Sequence, residues 1–146
     1  MHVLATRITA RNRPGVRTSV PLINRSFVMN PRVGKWDSVK IGITAPPIET
    51  KMGWLLIYHG VSRADGHYRI RAALLHRSNP TRILARTRDT IFEPETVYEK
   101  EGVVNNVVFP CGVIVIKDQL FFYYGAADKV LAVATAKLDD ILNLFK

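Results

Sequence analysis

The sequence predicts an all-β protein: part of a β-propeller, about two blades and the remnant of another, ending in a short C-terminal helix. Three observations lead there. Short apolar strands recur in two similar sets, turn signals bound them, and only Leu138–Phe145 carries a helical period.

In chain order, residues 1–35 read as a poorly organised basic segment. Arg, Thr, Asn and Pro are scattered among short apolar pieces, and Pro14-Gly15 and Asn30-Pro31 mark turns. Two readings stand: a loosely packed leader, or remnants of strands cut off from their partners. Residues 36–146 read as one unit. Trp54–Tyr58 is an apolar, aromatic and β-branched run, hence a buried strand. Asp65-Gly66 turns the chain into Tyr68–Leu75, where Tyr68, Ile70 and Ala72 alternate with Arg69, Arg71 and Ala73. Asn79-Pro80 breaks the pattern, and Arg82–Arg86 is a shorter strand. Gly112–Ile116, Leu120–Tyr124 and Val130–Ala136 form the second set, with Lys117-Asp118 as a turn. In the closing helix Leu138, Ile141, Leu142 and Phe145 share a face, and Asp139 and Asp140 suit the positive end of its dipole.

The two sets align. Trp54–Gly60 matches Gln119–Gly125 at an offset of 65 residues, and a strand of alternating small and apolar residues follows each. Repeated antiparallel strands suggest propeller blades, of which a ring needs about 4–8. The chain supplies about two, so it is expected to be the C-terminal part of a longer propeller, or the product of a split or damaged gene. A β-sandwich with a terminal helix is the competing fold.

Composition bounds the function. Apolar residues make up 47% and charged ones 23%, a globular balance. No apolar run approaches the roughly 18–20 residues of a membrane-spanning helix. The single Cys111 excludes an intramolecular disulfide framework and zinc sites of the CxxC type. With no signal-peptide pattern at the N-terminus, it points to a cytoplasmic setting. The net charge of +9 is uneven: residues 1–40 carry +7 and residues 41–146 only +2. The body is nearly balanced, so neither nucleic acid nor membrane is expected as a partner, although a basic N-terminal arm stands as a rival reading.

Several residues are candidates for chemistry. Lys40, between Val39 and Ile41, is either a surface residue or a point charge turned into a cleft to meet an anion. His59 closes an apolar strand and is either a hydrogen-bonded structural residue or a site residue, since Gly60 admits close approach by another group. His2, His67 and His76 show no paired spacing, so no metal site is expected. Asp128 after Gly125-Ala126-Ala127 is either a hairpin-turn acid or a carboxylate for sugar hydroxyls. Asn105–Gly112 reads as a special loop entering a strand, with Cys111 as a small packed residue rather than a nucleophile. Glu93, Glu95, Glu99 and Glu101 form a loose acidic cluster that offers a glycosidase pair only if two carboxylates face each other.

These segments, in this order, resemble the mannoside phosphorylases and mannosidases of glycoside hydrolase family 130. The resemblance rests on Trp36-Asp-Ser-Val-Lys-Ile-Gly42, Ala45-Pro-Pro-Ile48, Gly53-Trp-Leu-Leu-Ile-Tyr-His-Gly-Val61, Tyr68–Leu75, Glu93-Pro-Glu95, Tyr98-Glu99, Asn106-Val-Val-Phe-Pro-Cys-Gly112 and Tyr124-Gly-Ala-Ala-Asp128. It covers about residues 30–146. It implies a five-bladed propeller that cleaves β-1,4-mannosides, mannosyl-glucose or manno-oligosaccharides, with inorganic phosphate as co-substrate and no other cofactor. The product would be α-mannose 1-phosphate, formed by inversion. Lys40, His59 and Tyr68 match members of the family's phosphate pocket, and Asp128 matches a ligand to the mannose ring. The family's general-acid aspartate and its phosphate-binding arginines belong to earlier blades and match no residue here, so the chain alone is expected to be inactive. Hydrolysis and a non-catalytic sugar-binding module are the alternatives, and open blade edges predict self-association. Relatives often read Gly-Ala-Gly-Ala-Pro-Pro where this chain has Gly42-Ile43-Thr44-Ala45-Pro46-Pro47.

Overall fold

A computed structural model describes residues 26–146. Most of the basic 1–35 segment lies outside that range. Over the described residues the fold is all-β, as the strand patterns predict, with two short helices. Sheet A contains β1 (Lys40–Ile43), β2 (Ile48–Thr50), β3 (Gly53–Val61), β4 (Tyr68–Leu75) and β5 (Ile83–Arg86). Its order is β1-β3-β4-β5, with β2 also paired to β3, and every pairing is antiparallel. The four-residue helix α1 (Val97–Lys100) lies in the connection to sheet B, which runs β6 (Val108–Ile116), β7 (Gln119–Ala126), β8 (Val130–Lys137). Helix α2 (Leu138–Asn143) follows at once. The sequence repeat is visible as equivalent hairpins, β3–β4 and β7–β8.

Strand β3 is long because nearly every side chain along it is buried, on both faces. Leu55 and Ile57 join Ile70 and Ala72 of β4 in a core shared with Leu120 and Phe122 of β7 and Ile141 and Leu142 of α2. That core packs one face of sheet A against sheet B. Phe92, bridged to Ile70, meets Tyr124 edge-on at 4.7 Å between ring centres and extends the contact.

The other face of sheet A, with Leu56, Tyr58, Ala73 and Leu75, is covered by Met29 and Trp36. Asp37 anchors this cover: its fully buried carboxylate accepts hydrogen bonds from Arg32 at 3.1 Å and Arg86 at 3.3 Å. A β-carbon on Gly60 would lie 2.6 Å from the Trp36 ring and 2.8 Å from Asp37. The close approach expected at Gly60 is therefore made by the segment that leads into Lys40.

Among the described residues nothing covers the second face of sheet B. Ile114, Tyr123, Leu131 and Val133 are all exposed there. Its two hairpins turn through non-glycine residues with positive φ, Lys117 and Asp118, then Ala127 and Asp128. Both turns thereby match the right-handed strand twist. Cys111 departs from the sequence reading. The register of β6 slips between Pro110 and Gly112, which makes Cys111 the extra residue of a bulge, and it is exposed rather than packed.

Candidate functional site

Register places three of the predicted residues together. Lys40 opens β1 opposite Val61, Gly42 faces His59, and Tyr68 opens β4 opposite the same Val61. Paired residues share a face, and residues two apart in a strand do as well. Lys40, His59 and Tyr68 therefore converge on one face of sheet A.

The contacts bear this out. The Lys40 ammonium lies 4.6 Å from the centre of the Tyr68 ring. The His59 and Tyr68 rings are 5.9 Å apart and inclined by 29°. Phe109, from the edge strand β6 of sheet B, reaches across to within 5.0 Å of His59 and 6.2 Å of Tyr68. On its remaining side His59 lies against bare backbone. A β-carbon on Gly42 would sit 2.4 Å from its Cε1 and 2.7 Å from its Nε2.

His59 is buried, and its Nδ1 has no hydrogen-bond partner among the described residues. Burial lowers the pKa of the imidazole below its ordinary value, and the nearby Lys40 charge lowers it further. Lys40 is exposed and forms no ion pair with a described carboxylate. One ammonium, one phenol and one neutral imidazole with no acid between them form a donor set suited to an oxyanion.

Asp128 is not part of this cluster. It is exposed, at the left-handed hairpin between β7 and β8, and no hydrogen bond or ion pair ties it to the three. The register Phe109–Gly125 and Val108–Ala126 places its turn at the same end of sheet B as Phe109. Segment 102–107 holds the turn: Ala127 donates to the Val107 carbonyl at 2.9 Å and accepts from Val104 at 3.1 Å.

The acidic cluster does not form a facing pair of carboxylates. Glu93 binds Arg69 at 2.7 Å. Glu99 is buried and accepts hydrogen bonds from Tyr124 at 2.7 Å and from the backbone of Glu95 and Thr96. Burial raises the pKa of Glu99, but those donors outweigh it and the net shift is downward. Its carboxylate thus holds the start of α1 and cannot serve as a free base. Glu95 and Glu101 are exposed.

A cavity of about 780 Å³ opens on the Arg69 and Arg71 side of β4, and Lys40, His59 and Tyr68 do not line it. Ile43 and Thr44, bulkier than alanine and glycine respectively, leave β1 paired regularly through Ile43–Tyr58, and Ile43 is exposed.

Comparison with known proteins decides the family. The family 130 model, described as beta-1,4-mannooligosaccharide phosphorylase, matches residues 17–146. The chain belongs to glycoside hydrolase family 130. The family 130 match begins earlier than the motifs, which start near residue 30. Similar proteins include the 1,2-beta-oligomannan phosphorylase of Thermoanaerobacter sp. (strain X514), 44% identical over 114 residues, covering 78% of this chain and 38% of that protein. The beta-1,4-mannooligosaccharide phosphorylase of Ruminococcus albus is 37% identical over 123 residues, covering 82% of this chain and 36% of that protein. A solved structure of beta-1,2-mannobiose phosphorylase from Listeria innocua with beta-1,2-mannobiose matches with a TM-score of 0.77 at 41% identity, over 81% of this chain and 33% of that one. The chain thus spans little more than a third of the curated relatives' length.

Proposed function

We propose that the chain forms two adjacent blades of a five-bladed propeller and supplies the phosphate side of an inverting β-mannoside phosphorylase. The convergence of Lys40, His59 and Tyr68, without a carboxylate among them, carries the functional reading. A dianion must be held in line with the bond it attacks, and its repulsion from the sugar's oxygens offset. Lys40 supplies charge, while Tyr68 and His59 supply directed donors. A phosphate oxygen forms its bond to the anomeric carbon as the glycosidic bond breaks. The leaving oxygen takes its proton from an acid carried elsewhere in the whole protein. Asp128 accepts hydrogen bonds from mannose hydroxyls. Phosphate is then the co-substrate, and no other cofactor is needed.

The blade reading is supported by the equivalent hairpins and the open face of sheet B. A two-sheet sandwich presents polar outer faces, whereas Tyr123, Leu131 and Val133 point outwards here. Further blades would cover them. In the isolated chain that face drives self-association, and light scattering that finds only monomer across a wide concentration range refutes this. The reducing chemistry suited to a single free cysteine fits a cytoplasmic enzyme.

The β-1,2 linkage is favoured over β-1,4, because the relatives of higher identity are named for it. The description of the matching family model supports β-1,4-linked manno-oligosaccharides as the second reading. The test is to incubate the whole protein with β-1,2- and β-1,4-mannobiose, with and without phosphate, and to measure mannose and mannose 1-phosphate separately. Phosphate-dependent release of mannose 1-phosphate, faster from the β-1,2 substrate, is expected. Free mannose released equally fast without phosphate refutes the phosphorylase reading in favour of hydrolysis. Lys40→Ala should cost about 3–4 kcal/mol of transition-state stabilisation, the scale of one preorganised donor.

A further inference from the structure

We infer that Phe109 is a positioning residue for the phosphate pocket: its ring, brought from sheet B, fixes the orientation of the His59 imidazole on sheet A. The inference rests on the assignment of Lys40, His59 and Tyr68 to phosphate.

A histidine that must present one ring nitrogen to a ligand is usually oriented by a hydrogen bond at the other. His59 lacks that device, since its Nδ1 is enclosed without a partner among the described residues. Packing must set the ring instead. Three surfaces do so. Gly42 offers flat backbone, against which even a β-carbon would collide. Tyr68 lies roughly parallel at 5.9 Å, and Phe109 closes the third side at 5.0 Å, inclined by 51°. Gly42 and Tyr68 belong to the same sheet as His59. Phe109 is the one contact of the three that comes from the other sheet.

Phe109 is placed for this task by its strand. It sits on the edge strand β6, immediately before Pro110 and the bulge at Cys111. A bulge bends a strand and re-aims the residues beside it. Phe109 is 44% exposed, so its ring does not serve mainly to fill the core. The charged and titratable groups around His59 are Lys40 from β1 and Tyr68 from β4. Phe109 adds no charge, so its effect on the imidazole is one of orientation and exclusion of water.

The test uses the whole protein and inorganic phosphate. His59 is titrated by NMR, with His59→Gln to assign its signals, in wild type, Phe109→Ala and Phe109→Tyr. Phosphate affinity is measured above pH 7.5, where the ring is neutral in all three. Loss of one aromatic contact predicts a phosphate affinity about three- to tenfold weaker in Phe109→Ala, restored in Phe109→Tyr. It also predicts a His59 titration that moves up towards the ordinary value as water reaches Nδ1. Phe109→Leu, which keeps apolar bulk, replaces the alanine variant if that variant does not fold, and should give an intermediate result. An unchanged His59 titration and unchanged phosphate affinity in Phe109→Ala overturn the inference. Wild type that fails to bind phosphate, while Phe109→Ala still shifts the titration, overturns the phosphate assignment and leaves the orientation of His59 by Phe109 standing.

Discussion

Gly42→Ala tests the site through a single methyl group. The added carbon would stand 2.4 Å from His59 Cε1, 2.7 Å from Nε2 and 3.3 Å from Nδ1, well inside contact distance. The imidazole has little room to retreat, with Phe109 and Tyr68 on its other sides. Two escapes remain. The ring rotates out of the cluster, or β1 peels away from β3 around the Gly42–His59 pair. Overpacking of this kind costs about 1–3 kcal/mol. For a chain of this size that is a fall of about 3–10 °C in melting temperature. Gly112→Ala is the control, because nothing lies within 4 Å of its added carbon and its φ is not positive. Thermal melts and the His59 NMR signals of both variants are the assay. If Gly42→Ala melts with wild type and leaves the His59 signals in place, the packing account of the ring is wrong.

Three other outcomes follow from the same contacts. The lowered pKa of His59 means that the unfolded chain takes up a proton first, so stability present above about pH 6.5 falls as the pH drops below it. Urea melts across pH 5–8 should show this slope in wild type and a shallower one in His59→Gln. Glu99 is also lowered, so its contribution holds above about pH 4.5 and is lost as the pH falls through its folded value. Glu99→Gln, which forfeits hydrogen bonds to an ionised group, should cost about 1.5–3 kcal/mol at neutral pH by denaturant titration. Asp37→Ala leaves Arg86 and Arg32 without their buried carboxylate and should cost about 3 kcal/mol or more, against less than 1 for the exposed pair partner Asp139→Ala.

Much of this fold was legible because apolar runs and two-residue alternation write a plain pattern, plainest in β3, which is buried on both faces. The strands at Trp54–Tyr58, Tyr68–Leu75 and Val130–Ala136 are found where apolar runs and alternation place them, lengthened at some ends by backbone pairing. The meeting of Lys40, His59 and Tyr68 was legible only through the family resemblance, and register then accounts for it. Strand β2 and helix α1 were not, since three and four residues carry no period. Helix α1 depends on the Glu99 carboxylate reaching back to Thr96, a tertiary arrangement tied to Tyr124. The approach of Phe109 to His59 was also hidden. A Phe before a Pro marks an unusual loop entry, but not which sheet it will touch. The exposure of Cys111 is hidden in the sequence because a bulge changes which face a strand residue takes.

The cluster of Lys40, His59, Tyr68 and Phe109 draws on segments of very different separation along the chain. Lys40, Gly42, His59 and Tyr68 lie on three neighbouring strands within 29 positions of sequence, so their mutual placement needs only the short loops of sheet A. Such near-neighbour contacts close quickly, because little loop entropy is lost. Phe109 arrives only when sheet B docks, some forty residues further along the chain. Contact order alone therefore puts the closing of the Lys40, His59 and Tyr68 cluster ahead of the arrival of Phe109. An anion that prefers the finished pocket stabilises the docked arrangement by mass action. Any anion held by that cluster would then also brace the two sheets against each other.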